Sequence, residues 1–139
     1  MLDTEDVTAC TSARLRRATR ILSQAYDAAL KPSGLKGTQF TLLATLNKTG
    51  ELPLSQLAEV LGMERTTLTR NLKSMISKGF IEVVQDDDHR VRLVSMKSEG
   101  AKVLQQATPY WKDAQVHAVG KLGKKEWLLL MGSLEKISQ

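Results

Sequence analysis

The chain has 139 residues, 42% of them hydrophobic and 25% charged, with a formal net charge of +5. This length favours a single domain, and the ordinary composition excludes a low-complexity or repetitive protein. The modest positive charge favours acidic partners without identifying one, and no apolar run approaches the roughly 18 residues that a membrane span requires.

The N-terminal residues and the cysteine content indicate the compartment. The sequence contains one cysteine, Cys10, so no internal disulfide can form, and this suits a reducing compartment. The first ten residues carry acids where a secretory signal needs positive charge, and they lack an apolar segment. We therefore expect a soluble, cytoplasmic protein without a membrane partner.

The first fifty residues predict two helices. Apolar residues at three- and four-residue steps favour a helix from about Glu5 to Leu30, which Pro32 and Gly34 close. A second helix is expected to end near Gly50, and the following "ELP" predicts a very short strand.

The next segment predicts a helix-turn-helix. Ser55 is expected to cap a short helix that Gly62 ends. A second helix over residues 65–78, stopped by Gly79, has one apolar face. That face is formed by Leu68, Leu72, Met75 and Ile76.

The opposite face of the second helix is polar and basic, and the helix contains no acid. At helical spacing, this face is formed by Thr66, Thr69, Arg70, Lys73 and Ser77. In a helix-turn-helix the second helix enters the major groove, where Arg and Lys contact guanine edges or phosphates. Exposed helix faces are also commonly just solvated, so this helix alone does not decide between the two interpretations.

A β-hairpin follows, with strands over residues 80–85 and 91–96 and a turn over residues 86–90. A basic helix followed by such a hairpin is the winged helix-turn-helix plan, in which the hairpin reaches the flanking minor groove or backbone. Arg90 lies at the tip, and Arg92 is expected on the outer face of its strand, where DNA contact and solvation are both open. The predicted DNA contacts are Arg65, Thr66, Thr67, Thr69, Arg70, Lys73, Arg90 and Arg92.

The last part of the chain predicts two further helices. The first begins at Ser98 and Glu99 and contains Pro109, which is expected to kink it or to mark a boundary. The second carries apolar residues from Trp127 to Ile137. The predicted fold class is therefore mainly α with a small β-hairpin wing (α+β).

These segments resemble the MarR family of bacterial transcriptional regulators. "SQLAEVLGMERTTLTRNLKSMISKGFIEV" is similar to the family's helix-turn-helix, and "DHRVRLVSMKSEG" to its wing signature. The resemblance implies that Asp88 pairs with Arg90 and orients it for DNA. It also implies one domain over residues 1–139, with a DNA-binding lobe over about 36–97 and helical dimerisation regions over about 5–31 and 98–139.

The resemblance implies a homodimer on a pseudo-palindromic DNA operator, acting as a repressor that a small aromatic ligand releases. The candidate effector residues are Tyr26, Phe40, Tyr110, Trp111 and His117, although for any one of them packing in the core is the favoured interpretation. Cys10 is either an oxidant sensor or an inert thiol, and the subunit has no second cysteine to resolve an oxidised one.

No combination of residues predicts an enzyme, a cofactor or a metal site. The two histidines are far apart, and neither a metal-ligand spacing nor a Gly-rich phosphate loop is present in the sequence. The alternative from another class is a protein-interaction module, in which the basic face of the winged helix binds an acidic protein.

Overall fold

The computed structural model describes residues 2–85, 87 and 90–139. They are mainly helical with a three-stranded antiparallel sheet, which confirms the predicted fold class. In chain order the elements are α1 (Thr11–Leu30), α2 (Gly37–Thr49), β1 (Leu52–Pro53), α3 (Leu54–Leu61), α4 (Arg65–Ser77), β2 (Ile81–Gln85), β3 (Arg92–Met96), α5 (Ser98–Leu122) and α6 (Lys124–Ile137).

The chain divides into two compact units. The central unit is Leu30–Pro109, and the terminal unit combines Met1–Ala29 with Tyr110–Gln139. Every buried hydrophobic side chain among the described residues belongs to the central unit. None of residues 2–29 and 110–139 is buried. Across the described part of the chain, no helix combines the length and apolarity needed to cross a membrane.

The central unit has a core made largely of leucines. Each of its helices contributes one apolar face, and the sheet contributes alternate residues, as their periods of 3.6 and 2 require. The largest fully buried side chains of the core are Leu30, Leu42, Leu43, Leu57, Leu68, Met75, Ile81 and Val94.

β3 is the middle strand of the sheet, between β1 and β2. Val94 of β3 is opposite Leu52 on one side and Val83 on the other. The predicted "ELP" strand is therefore confirmed, and it pairs with the second strand of the hairpin. This pairing joins the middle of β3 to the segment that directly precedes α3.

Two predicted helix starts are wrong. The first α-helix begins at Thr11 instead of about Glu5, and residues 7–9 form a 3₁₀ turn. The Asp6 carboxylate accepts a hydrogen bond from the Thr8 backbone N–H at 2.9 Å, which stabilises that tighter turn. Helix α3 begins at Leu54, so Pro53 occupies the cap position that was expected for Ser55.

The apolar face of α4 is narrower than predicted. Leu68, Leu72 and Met75 are buried, but Ile76 is 45% exposed. Ile76 lies about 100° from Met75 around the helix, at the margin of the stripe that the core covers.

Pro109 lies inside α5, which continues through it to Leu122. Pro109 was expected to kink the helix or to mark a boundary, and the boundary between the two compact units falls directly after it. One residue earlier, the Thr108 hydroxyl donates to the Leu104 carbonyl at 2.7 Å.

The difference between Leu72 and Ile76 predicts unequal effects on stability. Leu72→Ala leaves a cavity in the core, so we expect the free energy of unfolding to fall by about 2–5 kcal/mol. Ile76→Ala removes a half-exposed side chain from the same helix and should cost about 1 kcal/mol or less. Urea unfolding at one fixed protein concentration measures both variants. Equal losses would contradict the assigned face.

Candidate nucleic-acid interface

Burial of one side of α4 leaves its opposite side exposed. The exposed residues on and beside that side are Arg65, Thr66, Thr67, Arg70, Lys73, Ser74 and Ser77. Four of them, Thr66, Arg70, Lys73 and Ser77, lie within one narrow sector of the helix because they follow at steps of four, three and four residues. The helix has no acidic residue. Its exposed side can therefore donate hydrogen bonds to an anionic or acceptor-rich partner.

Thr69 lies at the margin of this exposed side. It is half-buried, and its hydroxyl donates to the Arg65 carbonyl oxygen at 2.8 Å. The hydroxyl oxygen can still accept a hydrogen bond, but its proton is used within the helix. The structure thus brings Thr66, Arg70 and Lys73 together and sets Thr69 apart from them.

A tight turn connects α3 to α4. Gly62 has φ +64°, and its N–H donates to the Glu59 carbonyl at 3.1 Å. The Met63 N–H donates to the Ala58 carbonyl at 2.9 Å, which completes the left-handed helix end that glycine favours. The Asn71 side chain on α4 donates to the Met63 sulfur at 3.8 Å. These contacts hold the two helices in the helix-turn-helix arrangement.

The hairpin formed by β2 and β3, here called the wing, carries the predicted arginines. Arg92 is opposite Gln85, and Val94 is opposite Val83. Because side chains alternate along a strand, Arg92 shares the face of the buried Val94, so the predicted outer-face position is wrong. Arg92 is nevertheless exposed, since it lies beyond the edge of the core.

Arg90 is exposed at a bend two residues before β3, the second strand of the wing. Asp88, its predicted partner, lies outside the described residues. The proposed orientation of Arg90 by Asp88 therefore stays a prediction from the resemblance.

The predicted effector residues are divided between the two units. Tyr26, Tyr110, Trp111 and His117 belong to the terminal unit, whereas Phe40 is buried in the core of the central unit. Within the terminal unit the Tyr26 hydroxyl donates to the Gln115 side-chain carbonyl, and partial burial raises the pKa of Tyr26.

The terminal unit contains a groove of about 620 Å³ that the sequence did not indicate. It is lined by Thr11, Ser12, Leu15, Arg16, Thr19, Arg20 and Ile137. None of the predicted effector residues lines it. The groove is formed by the first turns of α1 and the end of α6. These two segments are more than a hundred residues apart in the sequence, so no local pattern predicts that they lie together.

Cys10 is exposed and directly precedes α1. Its carbonyl accepts a hydrogen bond from the Arg14 backbone N–H at 3.1 Å. Across the described residues, no three acidic, histidine or cysteine side chains form a group that could hold a metal ion.

Known transcriptional regulators are similar to this chain in sequence and in structure. The sequence profile of the MarR family matches residues 35–91. MosR, a transcriptional regulator of M. tuberculosis solved in complex with DNA, is 37% identical to this chain. The match covers 92% of this chain and 98% of MosR, with a TM-score of 0.78.

Two further proteins are similar over different lengths. YwoH, an uncharacterised HTH-type transcriptional regulator of Bacillus subtilis, is 26% identical over 89 residues, which are 64% of this chain and 65% of YwoH. The chain thus spans slightly less than two thirds of YwoH.

A mutant of E. coli MarR complexed with operator DNA is 21% identical, with a TM-score of 0.83 over 98% of this chain and 99% of that one. Identity this low shows a shared fold alone. The close match to MosR, the family profile and the winged helix-turn-helix together show that the chain belongs to the MarR family of transcriptional regulators.

Proposed function

We propose that this protein represses transcription by binding a specific double-stranded DNA operator as a homodimer. The observation that carries the proposal is the exposed, acid-free side of α4 beside a wing with two arginines. A helix of this kind fits the major groove, and a wing reaches the adjacent backbone or minor groove. MosR supports the proposal, because it is solved with DNA bound.

The position of each side chain on α4 suggests its role. Residues in the first turns of a recognition helix approach base edges, while later residues more often meet phosphates. Thr66 and Arg70 are therefore proposed to read the sequence, and Lys73 to bind the backbone. Arg70 can donate two parallel hydrogen bonds to guanine, whereas the Lys73 ammonium acts as a point charge.

The terminal unit supports the homodimer. Among its described residues none is buried, so the single chain gives this unit no core of its own. Residues 128–131 of α6 are four consecutive apolar side chains, 37% to 66% exposed. They point around the helix at steps of about 100°, so covering all of them requires contact on several sides.

We propose that a second copy of the chain supplies this cover. A two-fold dimer presents the same surface twice, which satisfies the apolar side chains of both copies. It also holds two recognition helices at one separation. The operator is then a pseudo-palindrome with half-sites about 10–10.5 base pairs apart, or a multiple of that spacing.

A regulator that covers its operator excludes other proteins from that DNA, and this is the basis for proposing repression. Release by a small aromatic ligand at Tyr26, Phe40, Tyr110, Trp111 and His117 is a prediction that rests on the resemblance. Oxidant sensing at Cys10 is an alternative that also rests on the resemblance, beside an inert thiol.

Substitutions on α4 should separate specificity from affinity. Thr66→Ala and Arg70→Ala should relax sequence preference, because each removes a contact to a base edge. Lys73→Ala should weaken binding to all duplexes alike and flatten the slope of log affinity against log salt by about 1. Lys48→Ala, an exposed lysine on α2, is the control.

Selection from a random duplex library, followed by titration at several salt concentrations, measures these effects. The same preferred sequence for all three α4 variants would contradict the assigned roles. If the wild-type protein bound an acidic protein but discriminated among no duplexes, the protein-interaction alternative would be correct.

A wing substitution should weaken binding without affecting assembly. Arg90→Ala should lower operator affinity by about 1–3 kcal/mol, the usual loss for an arginine contact to DNA. Lys102→Ala is the matched control, because Lys102 is exposed on α5, with its ammonium 3.5 Å from the Glu99 carboxylate. Gel-shift titration and sedimentation measure affinity and assembly. Wild-type affinity in Arg90→Ala would remove this residue from the interface.

Polar substitution on α6 should separate the subunits. Replacing Leu128 and Leu129 together by Gln should weaken the dimer by about 100-fold, since each loses apolar burial in the proposed interface. Replacing Lys124 and Lys125 by Gln is the matched control on the same helix. Analytical ultracentrifugation at micromolar concentration reports the assembly state. A monomeric wild-type protein would refute the dimer.

A further inference from the structure

The recognition helix, α4, ends at a junction that also contains the base of the wing. Gly79 has φ +76°, and its N–H donates to the Ile76 carbonyl at 3.0 Å. The Phe80 N–H donates to the Met75 carbonyl at 3.0 Å. This pair of bonds is the left-handed helix end that glycine permits, and it fixes the Phe80 peptide to the last turn of α4.

The carbonyl of the same residue closes the base of the wing. The last strand pair is Ile81 opposite Met96. One residue outward on each strand, the Phe80 carbonyl accepts a hydrogen bond from the Lys97 N–H at 2.9 Å. The Lys97 carbonyl in turn accepts from the Ala101 N–H at 3.0 Å, in the first turn of α5. Phe80 thus joins α4, the wing and α5.

Gly100 makes this junction possible. It is buried in the first turn of α5, and a Cβ at this position would lie 2.2 Å from the Phe80 carbonyl oxygen and 2.9 Å from Met96 Cγ. The first neighbour is backbone, so it cannot rotate away as a side chain could. Any other residue requires a displacement of about 1 Å to restore an ordinary contact.

We infer that Gly100 is a positioning residue for DNA binding, because it sets the spacing between α4 and the wing through the Phe80 carbonyl. This inference rests on the proposed function. A displaced Phe80 moves either the end of α4 or the base of the wing. Arg70 and Arg90 then no longer reach one duplex together, although each remains present and exposed.

The test compares two glycines of the same helix. Gly100→Ala introduces the clash, whereas at Gly120 a Cβ would meet nothing within 4 Å. We expect Gly100→Ala to bind the duplex selected by the wild-type protein about tenfold more weakly or worse, with little change on a scrambled duplex, because phosphate contacts tolerate displacement better than base contacts. Gly120→Ala should match the wild type on both duplexes.

A double-mutant cycle separates positioning from lost stability. If Gly100 aligns the wing, Arg90→Ala should cost much less affinity in the Gly100→Ala background than in the wild type. A folded Gly100→Ala protein with wild-type affinity, an equal loss on both duplexes, or full additivity with Arg90→Ala would each overturn the inference. Failure of the wild-type protein to select any duplex would instead refute the proposed function.

A second variant keeps the test decisive if Gly100→Ala does not fold. Lys97→Pro removes the N–H that the Phe80 carbonyl accepts, without adding an atom at Gly100. Lys97→Ala keeps that N–H and controls for the lost charge. Specific binding should be weaker in Lys97→Pro than in Lys97→Ala by about tenfold. Equal binding by the two variants would overturn the inference.

Discussion

The central unit is organised around the burial of one face of α4. Leu68, Leu72 and Met75 can be removed from water on one side of the helix alone, so the side that carries Thr66 and Arg70 must face outward. The same packing that stabilises the lobe therefore determines which residues a partner can meet. Stability and recognition are two consequences of one helix orientation.

The junction at Phe80 extends this constraint to the wing. Helix α4 and strand β2 are separated by only three residues, and the N–H and carbonyl of Phe80 are both bonded within the central unit. A connection this short leaves the hairpin little freedom to change its orientation relative to α4. Gly100 allows the first turn of α5 to pack against the same carbonyl. Helix α4, the wing and α5 therefore all contact the backbone of Phe80.

The terminal unit differs from the central unit in how its apolar side chains are covered. The hydrophobic cores of small domains stabilise them by removing apolar side chains from water, yet the described residues of this unit include none that is buried. In the proposed dimer, association supplies the missing burial. Folding of these helices and the separation of the two DNA-binding lobes then depend on the same contacts, so a change in one alters the other.

Features that depend on near neighbours along the chain could be predicted from the sequence. The buried stripe of α4, the left-handed helix ends at Gly62 and Gly79, and the hairpin all follow from local periodicity and backbone sterics. The folded structure was needed to establish the exposure of Ile76, the face of Arg92, the pairing of β1 with β3 and the need for glycine at residue 100. Each of these features depends on packing or pairing between segments that are remote in the sequence. A local sequence pattern does not predict which distant segment will pack against it.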